Sequence, residues 1–121
     1  MSENKIKSFT DLIAWQKAHT FVLSIYKITV NFPKEEIYGL TSQIKRSALS
    51  ISANIAEGFS RRTNKDKIQF YHVALGSLTE VQNYLVVAKD IKVINNESFQ
   101  DLAQYTIEIS KLVNGLIRSI K

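Results

Sequence analysis

The chain has 121 residues, of which 45% are hydrophobic and 22% are charged, and its net charge is +5. This length and balance are typical of one globular domain and exclude a disordered chain. Because there is no cysteine, disulfides, thiol catalysis and zinc–thiolate sites are excluded as well.

The N-terminal part of the chain predicts a short tail followed by a helix. Residues 1–8 are polar, lack the apolar region of a signal peptide and are expected to form a disordered tail. Thr10 or Asp11 is expected to cap helix 1, which runs to about Asn31 and ends before Pro33. No uncharged apolar run approaches the roughly 20 residues that span a bilayer. We therefore expect a cytoplasmic protein with no membrane partner.

Helix 2 follows a short turn, and Thr41 or Ser42 is expected to cap it. Apolar residues recur on one face of this helix at steps of three and four: Ile44, Ala48, Ile51 and Ile55. Polar residues form a second stripe: Gln43, Arg46, Ser50, Asn54 and Glu57. The helix is expected either to end at Gly58, since glycine favours the left-handed conformation at a helix C-terminus, or to continue to Arg61.

Helix 3 begins near Asn64, because Thr63 and Asp66 have the spacing of a capping box. Its apolar seam contains Gly76. A glycine in mid-helix costs about 0.5–1 kcal/mol relative to alanine. Close contact with another helix would explain this glycine.

A fourth helix completes the predicted fold, with Asn95 or Asn96 as its cap. Four amphipathic helices with short links predict an all-α protein, an antiparallel up-and-down four-helix bundle over residues 9–121. Some apolar residues lie away from the main seam of helix 2: Leu49, Ala53 and Ala56. They either thicken the monomer core or are buried by self-association, and we favour a homo-oligomer.

Side chains suited to catalysis or metal binding are sparse. His19 and His72 have no second histidine at ligand spacing, and the Glu-x-x-His pairs of di-iron bundles are absent. The four glycines are isolated, so no phosphate-binding loop is present. Glu57 and Glu80 would offer an acid–base pair if they faced each other, although such glutamates are more often held by an arginine or asparagine. We expect no metal, no cofactor and no enzymatic activity.

Positive charge is concentrated between Thr41 and Lys67, where six cations and two anions give a net charge of +4. Such a segment attracts phosphate backbones or acidic proteins, although solvated charges at helix ends give the same pattern. The candidate nucleic-acid-binding residues are these six cations: Lys45, Arg46, Arg61, Arg62, Lys65 and Lys67. Phe59 and Tyr71 offer stacking surfaces nearby, and both also fit the core.

A second candidate set is polar and centred on helix 2: Arg46, Asn54, Glu57, Arg61 and Glu80. On a continuous helix Glu57 and Arg61 form an i,i+4 pair. One interpretation is an interhelical or intersubunit polar network that sets register. The other is a surface that binds phosphates or nucleic-acid edges through guanidinium and amide groups.

Several blocks of the sequence carry a family resemblance. They are FTDLIAWQKA from Phe9, FPKEEIYGLTSQIKR from Phe32, SISANIAEG from Ser50 followed by Arg61, and ALGSLTE from Ala74. The chain resembles the bacterial four helix bundle protein family over roughly residues 9 to 120. That family includes proteins encoded in intervening sequences of large-subunit ribosomal RNA genes. The resemblance implies an antiparallel bundle assembled into a ring-like pentamer.

The family is also distantly similar to the accessory protein of diversity-generating retroelements, a basic pentameric bundle that binds nucleic acid and a reverse transcriptase. By that likeness of fold the resemblance implies binding of RNA or DNA. The chain keeps the marked polar positions of the family: Arg46, Asn54, Glu57, Gly58, Arg61 and Glu80. We therefore expect a non-enzymatic oligomer that binds nucleic acid through a basic helix 2/helix 3 surface. The alternative is a protein-interaction scaffold whose polar stripe on helix 2 serves assembly or a partner protein.

Overall fold

Four α-helices form where apolar residues recur at helical spacing. In the computed structural model, which describes residues 5–121, the helices are α1 (Ile13–Thr29), α2 (Ser42–Ser60), α3 (Asn64–Asp90) and α4 (Asn96–Ile120). Both α1 and α3 pack against α2 and α4, so the four helices surround one core. Within the described residues, no helix combines the length and the apolar character needed to cross a membrane.

Contacts between neighbouring helices show an antiparallel order. On α2 and α3, Ser47 lies opposite Glu80 and Gly58 lies opposite Tyr71, so residue numbers rise on one helix as they fall on the other. The start of α3 is likewise hydrogen-bonded to the end of α4. The prediction of an all-α, antiparallel up-and-down four-helix bundle is confirmed.

The core is built from the apolar stripes of all four helices. Its largest fully buried apolar side chains are Phe21, Ile25, Ile44, Ile51, Ile55, Val81, Leu85, Ile109 and Val113. The buried hydroxyl of Thr106 donates to the carbonyl oxygen of Ala103 and accepts from the amide of Gln82. The hydroxyl oxygen of Thr41 is also buried but has no hydrogen-bond partner within residues 5–121.

The start of α1 differs from the prediction. A short 3-10 helix, Phe9–Asp11, precedes it, and Ser8 caps that helix by accepting a hydrogen bond from the Thr10 amide at 3.0 Å. The Asp11 carboxylate accepts from two amides upstream of it and not from the first amides of α1. The predicted cap at Thr10 or Asp11 was therefore wrong. Of the predicted tail, residues 1–4 lie outside the described residues.

The later part of the connection between α1 and α2, from Lys34 onward, is helical. A 3-10 turn at Lys34–Glu36 leads into a π-helical turn, Ile37–Thr41, which runs directly into α2. The Glu36 carboxylate accepts from the Leu40 amide at 3.3 Å. Thr41 occupies the N-cap position but makes no side-chain cap hydrogen bond. The predicted cap of helix 2 was wrong, because the backbone is already helical where α2 begins.

The junctions on either side of α3 follow the sequence more closely. The Thr63 hydroxyl accepts from the Asp66 amide at 3.1 Å, and Asn95 accepts from the Ser98 amide at 2.7 Å, so both caps are confirmed. Of the two ends expected for α2, the structure has the later one, since the helix passes Gly58 and ends at Ser60.

The mid-helix glycine of α3 has a different environment from the one expected. A Cβ atom built on Gly76 would meet no other group of residues 5–121 within 4 Å. The expectation that Gly76 allows another helix of this chain to approach closely was therefore wrong. Gly76 faces outward, so packing among the described residues does not offset the helix-propensity cost of this glycine.

Candidate nucleic-acid interface

The link between α2 and α3 carries most of the cations that the sequence indicated. After Ser60 the backbone becomes extended at Arg61, with φ −74° and ψ 153°, and α3 begins three residues later. Arg61 and Arg62 therefore lie in the link itself, and Lys65 and Lys67 lie in the first turn of α3. These four side chains share one end of the bundle, but their surroundings differ.

Arg61 is held by two neighbours. Its Nη2 atom lies 2.6 Å from Oε2 of Glu57, in the predicted i,i+4 pair. Its guanidinium carbon lies 4.5 Å from the ring centroid of Phe70. An exposed ion pair of this kind contributes only about 0.3–0.5 kcal/mol. The main effect of the two contacts is to orient the guanidinium group and to balance part of its charge.

Lys67 binds the C-terminal end of α2. Its ammonium group donates to the carbonyl oxygen of Phe59 at 2.7 Å and lies 5.4 Å from the ring centroid of the same residue. The last carbonyl groups of a helix have no intrahelical partner and carry partial negative charge. Lys67 therefore acts as a C-terminal cap, and its charge is directed toward the protein.

Arg62 and Lys65 are the exposed cations of this turn. Within residues 5–121 neither side chain makes a hydrogen bond or an ion pair. An exposed cation without a partner can bind an external anion without first breaking an internal contact. These two residues are therefore the part of the predicted set that is most available to phosphate.

Further cations, which the sequence analysis did not include, lie at the same end of the bundle. The side-chain amide of Asn64 donates to the carbonyl oxygen of Ile120 at 3.0 Å, which brings the end of α4 beside the start of α3. Arg118 and Lys121 are exposed there. The predicted topology could have identified these two cations, because in an up-and-down bundle the second link and the C-terminus lie at the same end. We call this surface the basic end and define it by Arg61, Arg62, Lys65, Arg118 and Lys121.

The N-terminal segment adds a carboxylate at this end. Asp11 accepts hydrogen bonds from the backbone amides of Lys7 and Ser8 at 2.9 and 3.1 Å. These two bonds, with that from Lys7 the stronger influence, hold the pKa of the Asp11 carboxyl below its ordinary value. The charge of Asp11 is thus used to close the local turn.

Lys45 and Arg46 lie far from the basic end. They are in the first turns of α2, about 24 Å along the helix from Arg61 at about 1.5 Å per residue. The ammonium group of Lys45 lies 4.6 Å from the ring centroid of Tyr26, and Arg46 is exposed. The six predicted cations therefore form two separate groups at opposite ends of α2.

The predicted polar set is also divided, because no hydrogen bond within residues 5–121 joins all its members. Asn54 donates to the backbone and side-chain oxygens of Ser50 at 2.8 and 3.0 Å, and the Ser50 hydroxyl lies 2.7 Å from that of Ser77 on α3. The Ser47 hydroxyl donates to Glu80 at 3.3 Å. Glu57 and Arg61 form the separate pair already described, and Arg46 joins none of these groups.

Glu57 and Glu80 do not meet the condition for an acid–base pair, because they do not face each other. Glu80 lies opposite Ser47, which is ten residues from Glu57, or about 15 Å along the helix axis. The two carboxylates therefore do not share a pocket. In residues 5–121 no group of three or more histidine, aspartate or glutamate side chains is placed to hold a metal ion. The ring of His19 instead stacks on Trp15, with centroids 4.7 Å apart.

Comparison with known proteins places the chain in one family. No curated protein matches it. A solved structure from Bacteroides thetaiotaomicron, described as a protein with unknown function from the S23 ribosomal protein family, is similar with a TM-score of 0.78 and 28% identity. That similarity covers 87% of this chain and 98% of the other. The model of the 23S rRNA-intervening sequence protein family matches residues 10–115. The chain, a four-helix bundle with a basic end, therefore belongs to the 23S rRNA-intervening sequence protein family.

Proposed function

We propose that the protein is a non-enzymatic, oligomeric nucleic-acid-binding protein that contacts phosphates through its basic end. The observation that carries this proposal is the exposure of Arg62 and Lys65, which have no partner within residues 5–121, beside Arg118 and Lys121 at the end of α4. Phosphate binding requires cations that are accessible and not already neutralised. The family is named for an intervening sequence of 23S rRNA, and a cytoplasmic location, where ribosomal RNA is met, is part of the proposal.

The few carboxylates at the basic end support the same reading. Glu57 is paired with Arg61, and Asp11 is bound to backbone amides. Asp66 lies in the first turn of α3, where the helix dipole favours a negative charge. Within residues 5–121 the cations of this end, Lys67 included, outnumber these three carboxylates, so the net field there is positive and attracts a phosphate backbone.

Self-association is part of the proposal because apolar side chains remain exposed outside the core. Val73 and Val86 on α3 are 44% and 43% exposed, and Ala53 on α2 is exposed as well. Apolar surface of this kind is often buried between subunits. A ring, with five subunits as the resemblance implies, would present the basic end repeatedly along one strand and raise the effective concentration of each site.

The test is binding of a 23S rRNA fragment and of single-stranded DNA across a salt series. The Arg62→Ala/Lys65→Ala variant removes two phosphate contacts, so on single-stranded DNA the slope of log K against log salt should fall by about 1.4 per subunit engaged. The matched control is Lys27→Ala/Lys34→Ala, which removes the same charge at the opposite end and should keep the wild-type slope. Negligible binding at low salt by an intact oligomer would refute the proposal, as would equal slopes for both variants.

A protein-interaction scaffold is the second candidate, and the exposure of Gly76 favours it. Within residues 5–121, a Cβ atom on Gly76 would meet no group within 4 Å, and the adjacent Ser77 contacts the short side chain of Ser50 on α2. Such a surface would let a partner helix approach closely. Recovery of one protein partner after nuclease treatment, and its retention by Arg61→Ala/Arg62→Ala, would support the scaffold over nucleic-acid binding.

A further inference from the structure

A groove lies at the opposite end of α2 from the basic end. It is bounded by the last turns of α1, the π-helical turn and the first turns of α2, and it has a volume of about 470 Å³. Two aromatic and two cationic side chains line it: Tyr26, Tyr38, Lys45 and Arg46. The residues that line this groove, which we call the tyrosine groove, include no carboxylate.

Tyr38 is the most unusual feature of the groove. Its side chain is 94% exposed, and the neighbouring Ile37 is 48% exposed. The backbone beneath them is nevertheless anchored, because Leu40 is buried and its amide is bound by the Glu36 carboxylate. A flat aromatic ring is thus presented to solvent on a supported turn, which is the arrangement on which an unpaired base stacks.

The cations of the groove are placed to bind phosphate. Arg46 is exposed and makes no hydrogen bond or ion pair within residues 5–121. Lys45 rests on the ring of Tyr26 at 4.6 Å, and its ammonium group donates to no acceptor in the part of the chain that the structure describes. The nearest acid along the chain, Glu36, is turned to the Leu40 amide. The groove therefore combines positive charge with exposed aromatic surface.

We infer that the tyrosine groove binds an unpaired nucleotide of single-stranded RNA or DNA. The base stacks on Tyr38, and its phosphate is bound by Arg46 and Lys45. This inference rests on the proposed nucleic-acid binding and narrows the ligand to single strands, because a base inside a duplex is already stacked and does not offer its face. A strand that occupies the groove can continue along α2 toward the basic end, about 24 Å away.

The test uses the full-length protein with fluorescein-labelled oligothymidine, oligouridine, a duplex of the same length and an abasic strand of the same length. Tyr38→Ala should weaken binding to both single strands by about tenfold, and Tyr38→Phe should retain most of the affinity because the ring remains. Neither variant should change binding to the duplex or the abasic strand by more than about twofold. Arg46→Ala should weaken binding to all strands and reduce the salt slope, whereas Lys27→Ala should not.

The outcomes separate this inference from the proposed function. If the wild type binds single strands, and Arg62→Ala/Lys65→Ala weakens binding while Tyr38→Ala does not, the groove is not a base-binding site and only this inference is overturned. If the wild type binds no nucleic acid, both fail. If Tyr38→Ala changes the mass of the assembly in light scattering, the groove is a subunit contact and the inference is also overturned.

Discussion

Gly58 on α2 lies directly against the ring of Tyr71 on α3. A Cβ atom at position 58 would be 2.6 Å from Cε1 and 2.9 Å from Cδ1 of that ring, closer than real Cβ contacts allow. Tyr71 is almost fully buried, and this burial raises the pKa of its phenol above the ordinary value of 10.0. Gly58 is thus a close-packing residue inside a helix.

The packing against Tyr71 predicts opposite effects for two glycines. Gly58→Ala should lower the free energy of unfolding by about 1–3 kcal/mol, because the new methyl group overpacks the α2–α3 contact. Gly76→Ala, at an open helical position, should raise it by about 0.5–1 kcal/mol through helix propensity. Urea unfolding followed by circular dichroism measures both, and equal effects of the same sign would contradict the assignment.

Two buried threonine hydroxyls predict a second contrast. Thr41→Val should raise the free energy of unfolding by about 1 kcal/mol, since it removes a buried hydroxyl that has no partner within residues 5–121. Thr106→Val should lower it by about 1–2 kcal/mol, because the Gln82 amide would lose its acceptor. Thermal unfolding of both variants beside the wild type provides the measurement. Destabilisation by Thr41→Val would mean that its hydroxyl is satisfied.

Lys67 and Lys65 should behave differently although they are two residues apart. Lys67→Ala removes the ammonium group that binds the Phe59 carbonyl oxygen and should cost about 1 kcal/mol of stability. Lys65→Ala should change stability by less than about 0.5 kcal/mol, as is usual for an exposed side chain without contacts. Amide hydrogen exchange should show faster opening of the last turn of α2 in Lys67→Ala alone. Unchanged exchange there would argue against the cap.

Asp11 predicts a pH-dependent contribution to stability. Its carboxyl has a lowered pKa in the folded protein, so the folded state binds this proton less readily than the unfolded chain does. The stabilisation that the Asp11 carboxylate contributes is therefore complete above its ordinary pKa of 3.8. It is lost as the pH falls through the lower pKa that this carboxyl has in the folded protein. Asp11→Ala should be less stable than wild type at neutral pH, and the difference should shrink in acid. A difference that is constant from neutral pH to below pH of about 3 would contradict this linkage.

Much of the architecture could be read from local patterns. Helical spacing of apolar residues depends only on the sequence, and so do the caps at Thr63 and Asn95, whose side chains bind amides three residues away. The predicted caps at the starts of helices 1 and 2 were wrong, because a short 3-10 helix precedes α1 and a π-helical turn leads directly into α2. Gly58 and Gly76 look alike as isolated glycines, and only their neighbours across the helix interface distinguish them.

The sequence by itself determined the helices, their antiparallel order and the cationic segment around Arg62, since each depends on residues close together in the chain. Only the tertiary structure decided which cations are available. It turned Lys67 toward α2, paired Arg61 with Glu57 and brought the end of α4 beside the start of α3. The physical reason is that the availability of a charge depends on its partners through space, and those partners are chosen by packing.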